Sequence, residues 1–298
     1  MERTRIQKYK ELGARIGNTP LVRYVGKVPN RNTIWIKREC DNPFGSHYDR
    51  VYTALFKHFE ENRGLQPGMN VLETTSGTAG VSFAGIGREL GYKCYVMIPE
   101  DPIKQKRIEA IRAQGGIILP TPAEEDIQGF TRERIMGNIK RYSAVFLNHS
   151  MDPGGINNEI TLCSLAGIAG EVLQETGIDV FVGGIGNGSS IVGPGRVFRV
   201  RNADALIVGY KPKKAGKSEY PGLMNQDGLE RTIDFPHIKE ANKLIDRIML
   251  VDDWNKGVIN HEDLGRSAKA GIGVALDVAR DVTGKNILVL GYDKAERY

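Results

Sequence analysis

Apolar runs of strand length alternate with segments of helix length along almost the whole chain. That alternation is what parallel sheets joined by crossover helices require. Residues 33–37 (TIWIK) read as a strand and 49–63 as a helix, followed by a strand at 70–73 and a helix at 79–90. A strand at 93–98 (KCYVMI) ends at Pro99, a helix spans 103–114, and a strand at 117–119 follows Gly115 and Gly116. The spacing then predicts a helix over 128–142 and a strand over 144–147. The second half repeats the theme, with a long helix at 159–176, strands at 179–182, 205–210 and 286–290, and a mostly helical stretch at 261–282. Gly and Pro punctuate these elements. A chain of 298 residues with 40% hydrophobic and 26% charged residues has room for two ordinary α/β lobes and needs no staples.

Other classes find little support. The three cysteines, Cys40, Cys94 and Cys163, lie far apart, show no metal-ligand spacing, and suit a reducing compartment. No apolar run reaches the length of a bilayer span, and the first residues are charged, so a cytoplasmic protein with no membrane partner is expected. The net charge of +5 is mild. Basic residues gather at Lys104, Lys106, Arg107 and Arg112, and again at Lys211, Lys213, Lys214 and Lys217. No aromatic residues interleave with the second group, so no nucleic-acid partner is expected.

Three turns rich in glycine and hydroxyl side chains are the candidates for chemistry: 42–50 (NPFGSHYDR), 74–80 (TTSGTAG) and 183–190 (GGIGNGSS). Each can offer backbone N–H groups and hydroxyls at a helix N-terminus, where anions bind. The third is the best phosphate cradle, since its glycines allow close approach and Ser189 and Ser190 can donate. Turns of this kind also serve as plain helix caps, but three in one chain, in this order, favour a ligand crevice. Two nucleotide motifs fail. A dinucleotide fingerprint would need glycine where Ser189 stands, and a P-loop would need glycine where Lys211 stands.

Taken together these segments resemble the cysteine synthase (O-acetylserine sulfhydrylase) family of fold-type II pyridoxal-phosphate (PLP) enzymes. The resemblance starts at Ile16-Gly-Asn-Thr-Pro-Leu-Val22. It runs through Asn42-Pro43, Gly45-Ser46, Asp49-Arg50, Thr75-Ser76-Gly77 with Gly80, Gly91-Tyr92-Lys93 and Pro99, and ends at Glu296-Arg297-Tyr298. It implies a tryptophan synthase β-like architecture: two lobes, each a mostly parallel twisted sheet with helices on both faces. It also implies a smaller domain at 41–149, a larger one from 1–40 plus 150–298, and a homodimer.

The resemblance further implies a departure at the centre of the site. The family reads Gly-Gly-Ser-x-Lys-Asp-Arg after Asn-Pro, and its lysine forms the Schiff base; the matching residue here is Tyr48. A phenol has no amine and cannot form an imine. The ligand-carboxylate loop matches Thr75, Ser76, Gly77 and Thr78, with Thr78 in place of an asparagine and Ala79 in place of a hydroxyl donor. The phosphate loop matches Gly186, Asn187, Gly188, Ser189 and Ser190, and Ser267 matches the serine that faces the pyridine nitrogen. Arg266 and Lys269 bring new charge beside Ser267. Because Phe44, His47, Thr78, Ala79, Ser189 and Lys269 all depart together, the pattern reads as divergence and not as one engineered change.

Three functional expectations follow. The first is a cysteine synthase-like protein that cannot hold a cofactor covalently and acts by binding a small molecule, either non-covalent PLP or another phosphate-bearing or amino-acid-like ligand. The second is an enzyme of altered chemistry, with Tyr48 and His47 as catalytic groups in place of lysine. The third is a non-catalytic partner subunit of an active paralogue. His149 follows a strand end and is a candidate for the cleft, Asp49 and Arg50 read as an ion pair, Met151 and Tyr292 read as packing residues, and Trp254 stays open between core and interface.

Overall fold

The structure is a computed structural model that describes residues 3–152, 155–213, 223, 236–252 and 261–298. Lys214, Lys217 and Trp254 lie outside the described residues. Two sheets organise the rest. The smaller holds β3 (Asn70–Thr74), β4 (Lys93–Pro99), β5 (Ile117–Thr121) and β6 (Ala144–Phe146) in the order β5-β4-β3-β6, all parallel. The larger holds β1 (Leu21–Arg23), β2 (Thr33–Lys37), β7 (Val180–Gly184), β8 (Leu206–Pro212), β9 (Arg247–Val251) and β10 (Asn286–Leu290). Their order is β1-β2-β10-β7-β8-β9, parallel apart from the β1–β2 pair. This is the two-domain, doubly covered α/β architecture expected. Strands such as β7 (VFVGG), buried along their whole length, are continuous apolar or small runs because helices cover both faces.

The helices are α1 (Arg3–Arg15), α2 (Tyr48–Asn62), α3 (Thr78–Leu90), α4 (Gln105–Ala113), α5 (Arg132–Tyr142), α6 (Ile156–Glu175), α7 (Ser189–Arg201), α8 (Pro236–Leu244) and α9 (Arg266–Asp281). α3 is buried nearly all round, and its small residues let it lie close to its neighbours; Phe44 packs where a side chain at Gly85 would stand. It stops at Gly91, which takes a left-handed φ of 87° and returns its N–H to Arg88 and Gly87.

Two predicted helices start later than the periodicity suggests. Residues 126–129 form a separate 3-10 turn, and α5 begins only after Thr131 caps it through the N–H of Arg134. Residues 261–265 are held instead by the Leu264–Lys294 bridge and by Gly265 donating to the Asp293 carbonyl, so α9 begins at Arg266.

Strand order fixes where the site lies. In the smaller sheet the chain moves from β3 outward to β5 and then returns to the other side of β3 as β6. In the larger sheet β10 inserts between β2 and β7. Such reversals open a crevice at the carboxyl ends of the strands. The segments leaving β2, β3, β6, β7 and β10 are the ones that carry 42–47, 75–77, 147–149, 185–188 and 291–293.

Candidate functional site

These five segments meet. Tyr48 heads α2, half-buried, with its ring 4.1 Å from the His47 ring and set edge-on to His149 at 5.4 Å. Its hydroxyl is hydrogen-bonded to the side chain of Asn187 in the segment after β7. His47 packs edge-on against Tyr292, 5.4 Å away, and is bonded to the Tyr292 backbone carbonyl. Burial pushes the His47 imidazole down to about 3, the nearby charges of Arg50 and His149 add to this, and the carbonyl bond opposes it. Burial likewise pushes the Tyr48 phenol up, although the bond to Asn187 pulls the other way. His47 is thus a neutral imidazole and Tyr48 a protonated phenol across the ordinary pH range.

The segment 186–190, expected to cradle a phosphate, is capped from within. Gly188 takes a φ of 92°, and a side chain there would stand 3.0 Å from the His237 backbone, so glycine is required. Asn187 Oδ1 accepts from the Ser189 N–H at 3.0 Å and from Ser189 Oγ at 2.8 Å. These are donors that an anion at the N-terminus of α7 would also use. Ser190 is hydrogen-bonded to Tyr292, whose hydroxyl also accepts from the Gly184 N–H at 2.8 Å. Tyr292 is therefore more than the packing residue expected. It holds the 186–190 segment to the chain leaving β10, and only its hydroxyl, invisible to periodicity, marked it.

The 75–78 loop is arranged differently from the expectation of free donors. Thr75 Oγ1 accepts from the N–H groups of Gly77, at 2.9 Å, and Gly80, at 3.3 Å, so it caps α3. Gly77 has a φ of 146°, and a side chain at it would run into Arg107. Thr78 donates to Asp293 Oδ2 at 2.7 Å, the Tyr298 hydroxyl lies 2.9 Å and 3.0 Å from the two Asp293 oxygens, and buried Arg107 reaches the same carboxylate at 3.9 Å. The Arg107 guanidinium lies over the Tyr298 ring at 4.4 Å. Ser76 is half-buried. Ser267 is buried at the start of α9, with its carbonyl accepting from the Tyr210 hydroxyl at 2.8 Å and its side chain bonded to Tyr298.

His149, just after β6, is buried with its ring against Tyr48. Its Nδ1 lies 3.1 Å from the Tyr52 hydroxyl and 3.3 Å from Glu73 Oε2, and its backbone N–H donates to Glu73 Oε2 at 3.2 Å. Glu73 is wholly buried in β3. A carboxylate this close to Nδ1 favours the proton there and leaves Nε2 as the acceptor. Glu73 and Tyr52 were not singled out from the sequence; a lone Glu in an apolar strand was the signal.

Asp49 and Arg50 do not pair with each other. Asp49 accepts from the Phe44 N–H at 2.7 Å and from Ser82 Oγ at 2.5 Å, and burial pushes its carboxyl up to about 7 against those bonds. Arg50, one helical step on, points elsewhere and makes two-pronged contacts with Glu39 and Glu171. Lys37 joins Glu171 at 2.7 Å and the Thr19 carbonyl at 2.5 Å. Lys269 is directed to the Glu262 carbonyl, and Arg266 lies by the Tyr298 ring. Lys211 is buried in β8 next to Tyr210. It projects from the opposite sheet face to the Tyr210 hydroxyl.

A family model for pyridoxal-phosphate dependent enzymes matches residues 13–283. The chain belongs to this family. Cysteine synthase B of Salmonella typhimurium is 28% identical over 295 residues, covering 95% of this chain and 92% of its own. Cysteine synthase of Aquifex aeolicus is 27% identical over 309 residues, covering 95% and 88%. Among solved structures, the O-acetylserine dependent cystathionine beta-synthase of Helicobacter pylori superposes with a TM-score of 0.83 at 22% identity, covering 96% of each chain. A hydrogen sulfide-producing enzyme of Fusobacterium nucleatum gives 0.84 at 22% identity, covering 96% and 98%. As a member of the pyridoxal-phosphate enzyme family the chain can be tested for fit to that cofactor. The 186–190 loop suits a phosphate, with a left-handed glycine and two serines at the start of a 13-residue helix. The head of α2 does not suit an aldehyde, because the side chain at 48 is a phenol engaged with Asn187.

Proposed function

We propose that this chain is a cysteine synthase-like protein in which Tyr48 occupies the place of the cofactor-anchoring lysine, and that it acts by binding a phosphate-bearing or amino-acid-like ligand in the cleft. One observation carries the reading. The side chain at the head of α2 is a phenol whose hydroxyl is bound to Asn187, so this position offers no nucleophilic amine. The curated relatives named cysteine synthase support the ligand class, and the 186–190 loop supports the phosphate. The usual β-replacement is then outside its reach, since that chemistry needs an amine both to hold the cofactor and to move a proton.

A second reading has its own observation. The buried Glu73, Tyr52 and His149 place a carboxylate-oriented imidazole against the Tyr48 ring. That set can accept a proton in the cleft without lysine, as an enzyme of altered chemistry would need. From the resemblance we carry forward a homodimer and a cytoplasmic location as further proposals; a dimeric mass in solution tests the first.

The test of the main reading is chemical. Purified protein is incubated with pyridoxal 5′-phosphate, reduced with borohydride and mapped by peptide mass spectrometry. The expected result is no visible cofactor band and no pyridoxyl group on any cleft lysine. A reduced adduct on a lysine lining the cleft would sink the proposal.

A further inference from the structure

The apolar core is continuous from one sheet to the other, and α2 packs against α6 along the way. At the strand ends the two lobes meet in a different manner. There the segment 293–298, which follows β10, crosses to the smaller lobe, and hydrogen bonds and a cation–π stack join it there. Its base is fixed to its own lobe. The Asp293 carbonyl accepts from the Gly265 N–H at 2.8 Å, and the Ala295 N–H donates to the Asp263 carbonyl at 2.8 Å. Its side chains reach the other way. Asp293 Oδ2 accepts at 2.7 Å from the Thr78 hydroxyl at the head of α3. The Tyr298 ring lies under the Arg107 guanidinium of α4, and Lys106 donates to the Tyr298 carbonyl. Arg297 donates to the Phe44 carbonyl, and Gly45, with a φ of 77°, leaves room for its guanidinium.

The two kinds of junction behave differently. Lobes of one chain move against each other unless a large hydrophobic interface holds them, and the apolar contact of α2 with α6 is a place about which they can turn. The net worth of one hydrogen bond is modest. Those of the 293–298 segment act together, because the Tyr298 hydroxyl lies 2.9 Å and 3.0 Å from the two Asp293 oxygens and so ties the two residues that face α3 and α4 into one unit. We propose that residues 293–298 are a latch, and that the crevice at the strand ends opens by a swing about the α2–α6 contact when Thr78 and Arg107 part from Asp293 and Tyr298. A hydroxyl has one hydrogen to give, so a latched Thr78 has none for a molecule in the crevice. The latch is independent of which ligand the cleft takes.

Lobe opening is read as a distance. Spin labels are placed at Cys163, exposed on α6, and at the exposed position 109 on α4 through Glu109→Cys; Cys40 and Cys94 are buried. Chains carrying a single label report any distance between copies. Double electron–electron resonance and far-UV circular dichroism follow the full-length protein over one urea series. With the latch intact, both signals are expected to change at one midpoint. In Thr78→Val and Tyr298→Ala the distance is expected to lengthen before the circular dichroism falls, each lost hydrogen bond raising the open-to-closed ratio by roughly two- to tenfold. Asn286→Ala, which loses hydrogen bonds to Trp35 and Thr176 within the larger lobe, is expected to lower both midpoints together. If Tyr298→Ala does not fold, Thr78→Val alone decides. Latch variants whose two signals still change together overturn the proposal and make 293–298 ordinary packing. A wild-type chain whose lobes part before its helices melt overturns it too.

Discussion

The Tyr48 hydroxyl is hydrogen-bonded to the side chain of Asn187, and this bond ties the head of α2 to the loop that precedes α7. Asn187 in turn holds both donors of Ser189. A change at position 48 is therefore felt at the loop that precedes α7. Tyr48→Phe removes one partly buried hydrogen bond and frees Asn187. It is expected to lower stability by about 1 kcal/mol, measured by urea unfolding. Tyr48→Lys tests a different point: if the anchoring amine is all that has been lost, this variant captures pyridoxal 5′-phosphate as a borohydride-reducible adduct, and if Thr78 and the Asp293 cluster have also reshaped the cleft it does not.

Neighbouring residues Asp49 and His47 give stability opposite pH slopes. Asp49 is raised from 3.8 to about 7, so between these values the folded chain holds a proton that the unfolded chain has lost, and stability falls as pH rises. His47 is lowered from 6.5 to about 3, so between these values the unfolded chain holds the extra proton, and stability rises with pH. The two offset each other over roughly pH 4 to 6.5. Asp49→Asn, which keeps an acceptor for the Phe44 N–H and presents its amide NH2 to Ser82 Oγ, is expected to expose the His47 slope: relative to wild type, its urea midpoint falls further on going from pH 6.5 to 4. A variant with an unchanged profile would contradict this.

Arg50 bridges Glu39, which is fully buried, and Glu171. Burial opposes ionisation of Glu171, but Arg50 and Lys37 hold its carboxyl down at about 2. Arg50→Met would leave the Glu39 charge buried without its counter-ion, a loss of about 3–5 kcal/mol. Arg50→Lys is expected to recover only part of this, since an ammonium cannot grip two carboxylates in the forked geometry. Denaturant midpoints of the two variants check the order.

Gly77→Ala combines two faults. The φ of 146° disfavours a side chain, and the added methyl meets Arg107. A loss of about 1–3 kcal/mol is expected from the backbone alone. Because Arg107 stacks on Tyr298 and faces Asp293, the variant should also change tyrosine fluorescence or near-UV circular dichroism before it unfolds.

How far the site could be read in advance differs from residue to residue. The glycine-rich turns were visible because turns after buried parallel strands use few residue types, and Gly188 and Gly77 do take conformations that require glycine. His149 was visible from its place just after a strand. Glu73 and Tyr52 were not, because a buried carboxylate or phenol inside an apolar pattern leaves no periodic trace. Asp49 and Arg50 show the opposite failure: adjacent opposite charges looked paired, but successive helical residues point about 100° apart, and each found its partner on another element.

The chain's one-dimensional order determined the alternation of strand and helix, the three glycine-rich turns, the resemblance to cysteine synthases and the identity of the residue at 48, since each depends on local pattern or chemical type. Tertiary structure alone decided that Asn187 caps its own loop and binds Tyr48, that Tyr292 joins β10 to that loop, and that His47 is buried between Tyr48 and Tyr292. Those outcomes depend on how segments far apart in sequence meet at the carboxyl ends of two sheets, and hydrogen bonds between such segments follow geometry that no local pattern encodes.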